Sequence, residues 1–156
     1  MNPPPPDVTV LRNSFYAFYD LHRPAYLAYA TARLSQEEAR IAVACLFELV
    51  GGHWTAIVSR QRPSAWAWEQ HTRTVDTRNG HALTPAENTA LLHHELLLSV
   101  DQIATMTGAE PASVTALLAA ADRTAQHGAH RARTPRTARP TRAALLRPNR
   151  RAEARA

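Results

Sequence analysis

Residues 99–123 read SVDQIATMTGAEPASVTALLAAADR, and this stretch decides the fold class. Ala104 falls inside a first helical segment, Gly108 permits a tight turn, and Val114 and Leu117 point a second segment back at a core. Small, glycine and apolar residues at those offsets let two helices cross closely, which predicts a helix-turn-helix. Pro111 stands where the second helix begins, at a position whose missing N–H costs nothing. That helix carries no positive charge before Arg123, so the scaffold suits DNA while its surface lacks the groups that usually grip phosphates.

Working outward, Thr84-Pro85 predicts an N-cap followed by proline in the first turn, opening the block PAENTALLHHELLL. Before it, Ser64 is read as the cap of a helix carrying Trp66, Trp68, Thr72 and Val75 and ending near Asn79-Gly80, with 53–63 irregular around Arg60 and Arg62. Ser35 with Glu38 three residues on is a capping-box pattern, and it opens ARIAVACLFELV, which stops at Gly51-Gly52. Phe15, Phe18, Tyr19, Tyr26, Leu27 and Leu34 recur at helical intervals, with Pro24 expected to break or bend that segment. No strand-like run exceeds Thr55–Val58, so the expected class is all-α.

The expected organisation is a disordered Pro-rich start over 1–12, a helical domain over 13–78, a linker over 79–84, a helix-turn-helix domain over 85–126 and a disordered Arg-rich tail over 127–156. A six-residue linker reaches only about 20 Å. Either fraying of the flanking helices supplies slack, or the two domains dock on each other as a compact bundle.

The net charge of +5 over 156 residues is unevenly spread. Residues 1–127 hold 9 Arg against 12 acidic residues, whereas 128–156 hold 9 Arg against Glu153 alone. All the basicity therefore belongs to the tail. Cys45 is the single cysteine, which excludes an intramolecular disulfide and a Cys-rich zinc site. The start MNPPPPDVTV has neither a basic nor an apolar signal region, and no run approaches the ~18 apolar residues of a membrane span, so a soluble, cytoplasmic protein is expected.

Taken in order, FYAFYDLHRPAYLAYATARLSQEEARIAVACLFELV, RPSAWAWEQHTRTV and LTPAENTALLHHELLLSVDQIATMTGAEPASVTALLAAADR resemble a bacterial sigma factor of the small, two-domain extracytoplasmic-function type, over roughly residues 13–123. The resemblance implies a role in transcription initiation. The first domain would dock on RNA polymerase core and capture unstacked promoter bases, the second would read duplex DNA upstream, and an anti-sigma or other regulatory protein would be a further partner.

Residue by residue, it places polymerase binding at Arg40, Ile41, Ala44 and Cys45, where the family usually presents acidic and amide side chains. It places promoter contact at Arg60, Arg62, Trp66, Trp68, Arg73 and Arg78, and at Ser113, Thr115 and Arg123. Aromatic faces beside guanidiniums suit single-stranded nucleic acid, in which a stacked base contributes about 1–3 kcal/mol. The alternative is that both tryptophans are core and the arginines a solvated face. The family commonly has Lys or Arg where this chain has Thr115 and Leu117, so sequence readout by that helix is expected to be poor.

In the tail, Arg131, Arg133, Arg136, Arg139, Arg142, Arg147, Arg150 and Arg151 are candidates for nonspecific phosphate contacts, against the alternative of a solubilising extension. His93-His94-Glu95 lacks an HExxH pattern, adjacent helical His side chains diverge by about 100°, and no metal site is expected. The sequence has no nucleophile–base pattern and no nucleotide fingerprint, and Cys45 in an apolar helix reads as an inert thiol, so neither enzymatic activity nor a cofactor is expected. Two other functions stay open: a protein-interaction or regulatory module using Ile41–Cys45 and Ala116–Ala120, and a nonspecific nucleic-acid binder acting through the tail.

Overall fold

The structure, a computed structural model, describes residues 7–60 and 62–133. Among these the protein is all-α. Seven α-helices follow one another: α1 Val8–Arg33, α2 Gln36–Gly52, α3 Trp54–Val58, α4 Pro63–Asn79, α5 Pro85–Ala90, α6 Val100–Thr107 and α7 Pro111–Arg133, with a π-helical turn, Leu91–Glu95, continuing α5.

Local chemistry sets most of the ends. Ser35 caps α2 by accepting from the Glu38 N–H at 3.3 Å. Thr84 and Glu87 close a reciprocal capping box on α5, and Ser99 and Gln102 do the same on α6. Gly80 (φ 79°) ends α4 and Gly108 (φ 68°) ends α6, both in the left-handed region where a Cβ is penalised.

Several expectations are corrected. Helix α1 starts at Val8, capped by the Asp7 carboxylate on the Thr9 N–H, so residues 8–12 are helical. It also runs as one helix through Pro24, so of the two outcomes expected there, a break or a bend, the break does not occur. The lost backbone bond is outweighed because Phe18, His22, Tyr26 and Tyr29 must share one buried face on either side of it. Segment 53–63 begins with α3, held by buried Trp54, whose indole donates to Ser14 Oγ at 2.9 Å, while Arg60 and Arg62 lie outside the helices as expected. Ser64 does not cap α4; it lies within the helix with its hydroxyl 3.1 Å from His22 Nε2. Helix α7 continues past residue 126 to Arg133, placing Arg131 and Arg133 on a helix. Arg136, Arg139, Arg142, Arg147, Arg150 and Arg151 lie outside the described residues.

One buried cluster extends from Phe18 and Tyr26 on α1 through Leu46 on α2 and Val75 on α4 to Leu92, Ile103 and Val114. Tyr26 is at its centre, stacked against His71 with ring centroids 4.8 Å apart and against His22 at 5.3 Å. Burial holds the Tyr26 hydroxyl well above its ordinary range and pushes both imidazoles down to about 4. His71 Nε2 donates to the Tyr26 carbonyl at 2.8 Å, which leaves its buried Nδ1 without a hydrogen-bond partner.

The two halves of the chain pack on each other. The Tyr26 hydroxyl donates to the Met106 carbonyl at 3.4 Å, and that of Tyr29 to Asn88 Oδ1 at 2.6 Å. At the α6–α7 turn, a Cβ on Gly108 would stand 2.4 Å from the Ala65 backbone nitrogen, so this glycine lets the turn lie directly on the start of α4. Arg33, whose side chain is only 4% exposed, pairs with Asp76, donates to Tyr29 Oη at 3.0 Å and to the His81 carbonyl, and so ties the connection after α4 to the end of α1.

Candidate partner and nucleic-acid interfaces

Helix α2 sorts its residues by face. Ala39, Ala42, Val43, Leu46, Phe47 and Val50 recur at three- and four-residue intervals and are buried. Arg40, Ile41, Ala44 and Cys45 point the other way and are exposed, with Ile41 at 40%. Leu49 continues the stripe at 38%. The residues assigned to polymerase binding thus share one surface, and Ile41 belongs to it rather than to the core. The Cys45 thiol is exposed on that surface of α2. Leu49 was not singled out from the sequence, although its spacing of four from Cys45 and eight from Ile41 is the signal that places it there.

The candidates at 60–78 are dispersed around α4. Trp68 is half-buried and packs edge-on against Tyr29 at 4.8 Å, bordering the cavity of about 320 Å³ that α4 forms with α5 and α7. Trp66 is half-buried as well, with the Arg60 guanidinium over its ring at 6.0 Å. Both tryptophans pack against the common core.

Three of the four arginines of this segment are held by carboxylates. Arg62 donates to Glu110 at 2.6 Å, Arg73 to Glu69 at 2.7 Å and Arg78 to Glu38 at 2.6 Å. The Arg78 pair explains why the Ser35 cap is not a reciprocal box: Glu38 reaches across to α4 instead. Ion pairs this exposed contribute less than about 1 kcal/mol, yet each carboxylate lowers the local attraction for phosphate.

On α7, Val114 is buried and Leu117 and Leu118 are half-buried, while Ser113, Thr115 and Arg123 are exposed. The Thr115 hydroxyl donates to the Pro111 carbonyl at 3.1 Å. From Asp122 to Arg133 every residue is exposed; Thr124 and Ala125 face α5 across an open groove, and Arg123, His127, His130, Arg131 and Arg133 stand along this part of the helix. His93 Nδ1 lies 2.8 Å from the Leu98 carbonyl, and His94 Nε2 lies 3.9 Å from Asp122.

No family model, curated protein or solved structure matches this chain significantly. Among the described residues no helix is long and apolar enough to cross a membrane.

Proposed function

We propose that this chain is a sigma-factor-like protein of transcription initiation that binds RNA polymerase core through the outward face of α2 and contacts promoter DNA through Arg60 and the exposed edge of α7. The observation that carries this reading is the sorting of α2. Its inward face completes the core, while Arg40, Ile41, Ala44, Cys45 and Leu49 form an exposed, mainly apolar stripe flanked by charge. Interface centres have that composition, apolar with a charged rim. The test is co-purification of the full chain with core polymerase, followed by run-off transcription. A polymerase-dependent, promoter-dependent transcript is the expected result, and failure to associate with core would overturn the reading.

A second reading is a regulatory module that keeps the polymerase contact without promoter recognition. The ion pairs of Arg62, Arg73 and Arg78 favour it, as does the packing of the α6–α7 turn on α4, which puts Trp68 at the junction of the two halves. Promoter reading by both halves at once requires that junction to open. Association with core polymerase without any promoter footprint is the outcome that selects this reading.

A further inference from the structure

Helix α5, its π-helical continuation and the outer half of α7 enclose an open groove of about 640 Å³. Its floor is apolar and made of small residues, chiefly Ala86, Ala90, Leu91, Ala121 and Ala125. Its polar lining is Thr84, Glu87, His94, Glu95 and Thr124, with the two carboxylates Glu87 and Glu95 its acidic groups, and Asp122 lies just outside, 3.9 Å from His94. Glu87 keeps its negative charge readily, because the Thr84 backbone N–H donates to its carboxylate at 2.7 Å and holds it below the usual carboxylate range. A complementary occupant would present a few small apolar residues bracketed by positive charges.

The chain itself carries one such segment. Beyond residue 133, the longest apolar run is Ala143-Ala144-Leu145-Leu146, and Arg142 and Arg147 stand immediately on either side of it. We propose that residues 142–147 of the tail fold back onto this groove, with Leu145 and Leu146 on the alanine floor and Arg142 and Arg147 against Glu87 and Glu95.

The reach is sufficient. Ala125 precedes the last described residue, Arg133, by eight positions, which is about 12 Å of helix. The nine residues 134–142 span up to about 30 Å, more than twice that return distance. A tether of this length gives a millimolar effective concentration, so a contact too weak to form between separate molecules is populated within one. The tail arginines then face carboxylates of their own chain, and an external polyanion must compete for them. This inference does not depend on the polymerase reading, since it concerns only the groove and the tail.

Disulfide trapping in the full-length protein tests it. In a Cys45→Ser background, Ala125→Cys on the groove side of α7 and Leu146→Cys are expected to form an intramolecular disulfide about tenfold faster than His127→Cys with Leu146→Cys. His127 lies nearer the tail in sequence but on the opposite side of the helix, so equal or faster trapping there would overturn the proposal. Disulfide-linked dimers as the main product would overturn it too, by assigning the groove to the tail of a second copy. Adding Glu87→Gln and Glu95→Gln, which preserves the capping geometry at Thr84, is expected to abolish the advantage of the 125/146 pair; an unchanged advantage would refute the charge pairing.

Discussion

Replacing Gly108 and Gly80 separately by alanine measures how firmly the two halves of the chain are seated. Both glycines have positive φ, 68° and 79°, so both substitutions carry the left-handed penalty of an L side chain, about 1–2 kcal/mol. Nothing lies within 4 Å of a Cβ at Gly80, whereas at Gly108 it would meet the Ala65 nitrogen at 2.4 Å and the Ala65 Cα at 2.8 Å. Those atoms are backbone in the first turn of α4 and cannot swing aside as a side-chain end does. Relief requires the α6–α7 turn to lift from α4, and overpacking of this kind adds about 1–3 kcal/mol. Gly80→Ala should therefore cost about 1–2 kcal/mol and Gly108→Ala roughly 2–5 kcal/mol. Urea unfolding followed by circular dichroism, with both variants fitted at a common slope, gives the two values. Equal losses at the two positions would refute direct packing of the turn on α4.

Acid should weaken the fold through His22 and His71, whose buried imidazoles are held near 4 while an unfolded histidine titrates near 6.5. The unfolded state takes up protons first, so stability is intact above about pH 6.5, falls by on the order of 2 kcal/mol per histidine by pH 5, and levels off below about 4. Thermal unfolding from pH 7 to 4 checks this, and a flat profile would contradict burial of the neutral rings. Leu97 has φ 57° and is 83% exposed, so Leu97→Gly relieves strain without removing packing. After the added freedom of the unfolded chain it should stabilise by about 0.5–1 kcal/mol in the same urea assay. Arg33→Met removes a cation that is buried against Asp76 and Tyr29, and a loss of about 3–5 kcal/mol is expected; a change below 1 kcal/mol in calorimetry would mean the pair is solvated.

The helix ends that the sequence announced were those made by neighbours along the chain. Ser35, Thr84-Pro85, Gly108 and Pro111 each act within three or four residues, and all stand where their chemistry puts them. Less legible were features decided across the bundle. Ser64 is drawn away from a cap position by His22, 42 residues earlier, and Glu38 is drawn from its cap by Arg78, 40 residues later. Pro24 signals a break locally, but the shared burial of His22 and Tyr26 overrides it. Composition also misplaced the end of α7. Its course through Gln126–Arg133 meets no proline and a single glycine, Gly128, and one interior glycine costs about 1 kcal/mol, too little to stop a helix already propagating.

The candidate surfaces divide in the same way. The residue types on α2 could be read directly, but the outward direction of Ile41 depends on how α1 and α4 cover the opposite face. For the arginines at 60–78, the sequence displayed charge without its partners. Glu110 and Glu38 are distant in the chain, and only the fold brings them to Arg62 and Arg78.

The most direct measurement is the affinity of the full chain for purified RNA polymerase core, compared with that of an Ile41→Glu/Leu49→Glu variant of matched thermal stability. Both side chains are exposed, so the variant should fold normally. Burying two carboxylates at the centre of an interface should weaken binding by at least about tenfold. Binding by the native chain with that loss in the variant is the predicted result. No binding by the native chain, or equal binding by both, would contradict polymerase docking through α2.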